Sequence, residues 1–103
     1  MHIIDLQDVI RHYSPGNGRH WFDPGTLRYF SCRLPTQAYQ TADASRAYFV
    51  TSEKPPRGNR AYSVRCYSFA DRTIATVGGF RAYGSRSGAD GAARRAASQD
   101  SAP

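Results

Sequence analysis

Apolar residues recur near helical spacing at the start of the chain. Ile3, Leu6, Val9, Ile10 and Tyr13 follow one stripe while Asp5, Asp8 and Arg11 lie off it, which predicts a helix over Met1 to Tyr13. Ser14-Pro15-Gly16-Asn17-Gly18 breaks that pattern, so residues 1–18 read as an appended helix and its joint. A second helix is expected from Asp23. Asp23 is a good N-cap, Pro24 suits the first helical position, and Phe22 can staple onto Leu27. Leu27, Phe30 and Leu34 then share a face until Pro35 stops the helix. Gly25 weakens this helix, so docking against a sheet must supply much of its stability.

Beyond Thr36 the period changes from helical to alternating. Gln37 to Thr41 reads as a weak strand, Ala42 to Ser45 as a turn, and Arg46 to Ser52 as a strand built on Tyr48, Phe49, Val50 and Thr51. Glu53 to Asn59, with Pro55, Pro56 and Gly58, must be a loop. Arg60 to Phe69 alternates most clearly, with Tyr62, Val64 and Cys66 on one side and Ser63, Arg65 and Tyr67 on the other. Ala70-Asp71-Arg72 is a tight connection to Thr73–Val77, and Phe80 to Tyr83 extends that strand past Gly78-Gly79. A last helix runs from Ser85 or Ser87 to Ser98. It carries a stripe of Ala89, Ala92, Ala93 and Ala96, and Asp90 is spaced to pair with Arg86 and Arg94 on its outer face.

The expected fold is α+β: a three- to four-stranded antiparallel meander with helices packed on one face, in the order α-α-β-β-β-β-α. The other sheet face is left open to solvent. The domain spans residues 19–98, and residues 99–103 form a flexible tail.

A chain of 103 residues holds one domain, and its aromatic content of 13% can fill a small core. No apolar run reaches the ~18 residues that span a bilayer. Asp5 and Asp8 sit inside the first apolar stretch, which does not fit a signal peptide. The expected location is therefore the cytoplasm, with no membrane partner. Cys32 and Cys66 are isolated and read as reduced, buried thiols. The net charge is +6, and all basic residues but Lys54 are Arg. Such a surplus attracts nucleic acid or an anionic surface; the competing reading is the arginine bias of a GC-rich genome.

Candidate chemistry is sparse. His2, His12 and His20 lack metal-ligand spacing, and Ser14, Ser31, Ser52 and Ser85 lack a nucleophile setting. A Cys32–His20 dyad is sterically conceivable, but no motif places it. Asp23 is accounted for as a cap and Asp71 by a turn, which leaves Glu53 as the carboxylate to test; pairing with a nearby Arg is its ordinary explanation. Neither Gly16-Asn17-Gly18 nor Gly78-Gly79 has the context of a phosphate-binding loop. No catalytic residue, metal or cofactor is assigned. The candidate contacts are Arg28, Arg33, Arg57, Arg60, Arg65, Tyr67 and Arg86. Arg65, Tyr67 and one of Tyr48 or Phe49 would make a cationic stacking platform if they shared an exposed sheet face. Otherwise these aromatics close a core.

Several runs resemble one family. They are Leu27-Arg28-Tyr29-Phe30 with Arg33, Tyr48-Phe49-Val50-Thr51-Ser52-Glu53, Tyr62-Ser63-Val64-Arg65, Ile74-Ala75-Thr76-Val77-Gly78-Gly79-Phe80 and Tyr83-Gly84-Ser85-Arg86. Together they are similar to a family of small uncharacterised proteins common in bacteriophages and mobile elements, over about residues 21–97. This chain departs from the family pattern at Gly79, where an acidic residue is usual. The resemblance implies phage origin and a shared fold, and assigns no catalysis. The element order also resembles the double-stranded-RNA-binding domain. The loop from Lys54 to Asn59 lacks that domain's His, however, and Arg86 stands alone where a lysine cluster would begin the last helix.

Two functions follow as expectations. The first is a non-catalytic accessory protein that binds a host or phage protein, or self-associates through Ile3, Leu6 and Ile10. The second is nucleic-acid binding through the arginines.

Overall fold

The computed structural model describes residues 1–13, 37–53 and 57–100. The expected helix from Asp23 to Leu34, with Arg28, Arg33 and Cys32, lies outside them. The described elements are β1 (His2–Asp5), α1 (Leu6–Tyr13), β2 (Gln37–Gln40), β3 (Arg46–Glu53), β4 (Ala61–Ser68), β5 (Thr73–Val77) and α2 (Arg86–Asp100). The strands form one antiparallel sheet in the order β1-β2-β3-β4-β5. The α+β class and the meander are as expected.

The start of the chain differs from the expected single helix. Met1 to Tyr13 is split at Asp5, whose Oδ1 accepts the Gln7 backbone N–H at 2.9 Å and so caps α1. Ahead of that cap, Ile3 and Ile4 favour extended backbone, and β1 pairs Ile3 with Tyr39 and Ile4 with Ala38. Residues 1–13 are thus built into the sheet and core rather than appended. Leu6, Val9 and Tyr13 face Ala38, Ala47, Phe49 and Tyr67 in the first hydrophobic cluster.

The two described helices also lie on opposite faces of the sheet, not on one. Strand alternation fixes this. In β3, Ala47 and Phe49 point to α1, while Tyr48 and Val50 point the other way, with Val64 and Tyr62 of β4. That second face carries α2, whose Ala89, Ala93 and Ala97 are buried against Tyr39, Val50 and Val64. The buried alanines recur every fourth residue, so the contact line passes through Ala97, and Ala92 and Ala96 are only half-buried.

The expected Asp90 pairs with Arg86 and Arg94 on the outer face are replaced by an interior contact. The Tyr39 hydroxyl reaches both Asp90 carboxylate oxygens at 2.7 Å. Ser85 caps α2 by accepting the Gly88 N–H at 3.1 Å. The helix continues to Asp100, so Gln99 and Asp100 belong to it rather than to a tail. Beyond β5, Phe80 to Ala82 bulge outward, and only Tyr83 regains pairing, exchanging two backbone hydrogen bonds with Tyr62 at 2.8 and 3.1 Å.

Candidate nucleic-acid interface

One end of the sheet gathers arginines. Arg57 and Arg60 stand on the β3–β4 connection, and Arg60 Nη1 donates to Ser52 Oγ near the end of β3 at 3.1 Å. The Tyr62–Tyr83 bridge brings the chain from Arg81 to Arg86 beside the start of β4. Arg57, Arg60, Arg81 and Arg86 therefore share this end. Between residues 53 and 89 the only acids are Glu53 and Asp71, and Asp71 lies at the opposite end, in the β4–β5 turn.

Phe80 projects at the rim of this end. It is 57% exposed, one of two exposed large hydrophobics among the described residues, with Ile3. The Arg81 guanidinium carbon lies 4.9 Å from its ring centroid and that of Arg65 lies 5.4 Å away. The turn that presents Phe80 is strained. Arg81 adopts a left-handed φ of 57°, and its N–H donates to Ser63 Oγ at 2.8 Å. At the start of α2, Arg86 Nε is buried without a hydrogen-bond partner.

The remaining candidates fall elsewhere. Arg65 is buried on the α1 face, where Nε donates to Thr51 Oγ1 at 2.9 Å and Nη1 donates to Thr76 Oγ1. Tyr67 and Phe49 are fully buried on the same face, and Tyr48 is on the other. The exposed stacking platform of Arg65 and Tyr67 is therefore not formed. For Tyr67 the physical reason is α1, whose His12 Nδ1 lies 2.6 Å from the Tyr67 hydroxyl and whose Tyr13 ring meets that of Tyr67 edge-on; for Arg65 it is the hydrogen bonds to Thr51 and Thr76, which turn the guanidinium inward. The exposed aromatic is Phe80, which a strand reading of Phe80–Tyr83 hides. The Gly78-Gly79 pair before it, with Gly78 at φ 70°, was the available signal for an outward turn.

The hydrophobic stripe proposed for self-association is also occupied. Leu6 is buried in the core and Ile10 packs against it, which leaves Ile3 alone exposed.

Among the described residues the reactive groups are scattered. Cys66 is half-buried beneath Tyr48, and burial pushes its thiol pKa up, away from the thiolate form. Among the described residues no group of three or more His, Cys, Asp or Glu could hold a metal ion. Among them, too, no helix is long and apolar enough to cross a membrane.

A family model matches residues 6–94, most of the chain. The protein belongs to a family of unknown function, DUF7447. The DUF7447 match begins at the first residue of α1 and includes Arg57, Arg60, Arg65, Arg81 and Arg86. It therefore takes in α1, which a match beginning near Trp21 leaves out. No curated protein and no solved structure matches the chain.

Proposed function

We propose that this DUF7447 protein is a non-catalytic binding protein whose ligand is single-stranded nucleic acid. The observation that carries the reading is the exposed Phe80 ring beside Arg81, at an end that also bears Arg57, Arg60 and Arg86. Arginines attract the phosphate backbone without regard to sequence, and an exposed aromatic offers a surface to an unpaired base. A duplex, with its bases already stacked, gains nothing from Phe80. The scattering of His12, Cys66 and the carboxylates supports binding without chemistry. The family resemblance read from the sequence supports a phage protein working in the host cytoplasm.

The test is fluorescence anisotropy with labelled single-stranded and duplex oligonucleotides across a salt series. Affinity for the single strand falls steeply with salt, and each of Arg57→Ala and Arg81→Ala lowers the log–log slope by about 0.7. Absence of binding at low salt rejects the reading. Equal affinity for duplex and single strand removes the role of Phe80.

A second reading, binding to a protein partner, is favoured by a different feature: among the described strands, β5 has β4 as its one neighbour.

A further inference from the structure

Val77 pairs with Val64 and Tyr83 pairs with Tyr62, so the five residues Gly78 to Ala82 stand opposite the single residue Ser63. An ordinary bulge sets two residues against one; this is a larger excursion of the same kind, and bulges re-aim side chains next to functional sites. Phe80 is in the middle of it and is 57% exposed. A ring so exposed takes little direction from packing. Its direction must come from the backbone that carries it.

A side chain of β4 holds that backbone. Ser63 is fully buried, and its Oγ accepts the Arg81 N–H at 2.8 Å. The Arg81 N–H lies in the same rigid peptide plane as the Phe80 carbonyl, so fixing the one fixes the plane that leaves Phe80. The same bond holds Arg81 at φ 57°, a left-handed conformation that glycine adopts freely and an arginine only against steric resistance. Alternation along β4 puts Arg65 on the same side as Ser63. Thr51 and Thr76 bind its guanidinium, whose carbon lies 5.4 Å from the Phe80 ring centroid. β4 therefore meets the excursion twice, at its backbone through Ser63 and at its ring through Arg65.

We infer that Ser63 is a positioning residue for base stacking: it holds the excursion from Gly78 to Ala82 in the conformation that presents the Phe80 ring to an unpaired base. The inference rests on the nucleic-acid reading of this site and adds to it a residue that is itself buried away from the ligand. Without the Ser63 hydroxyl the five residues sample many backbone conformations, and ordering them on binding subtracts from affinity. With it, the ordering is complete before the ligand arrives. A serine that only satisfied a buried strand would affect folding alone. A positioning serine changes affinity as well, and does so through Phe80.

The test uses the full chain labelled with ¹⁵N, its Ser63→Ala, Ser63→Thr and Phe80→Ala variants, and a fluorescent single-stranded oligonucleotide. In the wild type the Arg81 amide exchanges with solvent about tenfold or more slowly than the Gly79 amide. Ser63→Ala removes that protection, while the Tyr62 and Tyr83 amides, each bonded to the other's carbonyl, keep theirs. Ser63→Ala also weakens single-strand affinity about tenfold with the salt slope unchanged, because it acts through stacking and not through phosphate. Ser63→Thr, which keeps the hydroxyl, restores both. Phe80→Ala weakens binding in the wild type but adds little in the Ser63→Ala background. An Arg81 amide that exchanges as fast as that of Gly79 overturns the proposal whatever the variants do. So does an equal loss from Phe80→Ala in both backgrounds, and so does loss of the Tyr62 and Tyr83 protection in Ser63→Ala, which marks a purely structural serine. Absence of single-strand binding by the wild type rejects the nucleic-acid reading and this inference with it. Wild-type binding that Ser63→Ala leaves unchanged rejects the inference alone.

Discussion

The Asp100 carboxylate ties the end of α2 to the start of β3 by accepting two hydrogen bonds from Arg46, from Nε at 2.7 Å and Nη2 at 2.9 Å. The Tyr48 hydroxyl adds a third at 2.9 Å. These contacts, with Arg46 first, hold the Asp100 pKa below the ordinary carboxylate range. Asp43 is lowered to about 2 by the Thr41 hydroxyl, the Ser45 hydroxyl and the Ser45 N–H.

Both carboxylates have folded pKa values below their unfolded ones, so their stabilisation is present above the unfolded value and lost as pH falls through the folded value. Thermal stability should therefore decline as pH drops from about 4 towards 2. Asp100→Asn should flatten part of that decline and Asp43→Asn another part. Melting curves by circular dichroism at stepped pH check this, and an unchanged pH profile in both variants contradicts it.

The alkaline side has the opposite origin. Burial first, and then the hydrogen bond to Asp90, raise Tyr39 to about 12, and burial also raises Tyr48 and Tyr67. For an acid with a raised folded pKa, stabilisation is complete below the unfolded value near 10 and is lost as pH rises through the folded value. Phenolate absorbance should show late-titrating tyrosines, with unfolding accompanying their ionisation. Tyr39→Phe should move one of them out of the late class.

Ala93 is fully buried where α2 meets the sheet. A larger side chain there must push the helix outward, so Ala93→Leu should cost about 1–3 kcal/mol in chemical denaturation. Ala96→Leu, at a half-buried position, should cost less.

Thr51 is buried beside the Arg65 guanidinium, and its hydroxyl accepts the Arg65 Nε–H. Thr51→Val keeps the shape and removes the acceptor. The expected loss is about 1–3 kcal/mol, the penalty of a buried donor left without its acceptor. Thr51→Ser, which retains the hydroxyl, should recover most of it.

Phe80 is exposed, so its loss should leave stability nearly unchanged. Under the nucleic-acid reading, Phe80→Ala weakens single-strand affinity by about 1–3 kcal/mol without altering the salt slope. Arg81→Ala lowers the slope as well. Anisotropy titrations separate the two effects, and identical behaviour of both variants argues against base stacking.

The strands were legible because alternation is a local signal. Tyr62, Val64 and Cys66 point to α2, and Thr73–Val77 has the expected bounds. The start of the chain is ambiguous in sequence because Ile3, Leu6, Val9 and Ile10 satisfy a helical period while Ile3 and Ile4 also suit a strand. The deciding group is one cap, Asp5 on Gln7, which periodicity ignores. The two-sided covering is hidden for another reason. A meander with one apolar face needs helices on that face alone, yet Phe49 and Tyr67 on one side and Val50 and Val64 on the other give the sheet two apolar faces. The candidate site was partly legible. Arg57, Arg60 and Arg86 do come together, but Arg65 and Tyr67 turn inward, because sequence shows which residues alternate and not which side of the sheet is buried.

A slab walled above and below by helices can lengthen only sideways. Among the described strands the two rims are unlike, so rim-to-rim joining of β5 to the β1 of the next molecule would not close on itself and would run on as a fibre. The charge of +6 on each molecule opposes that growth, and concentrated salt, by screening it, should make crowded solutions turbid first.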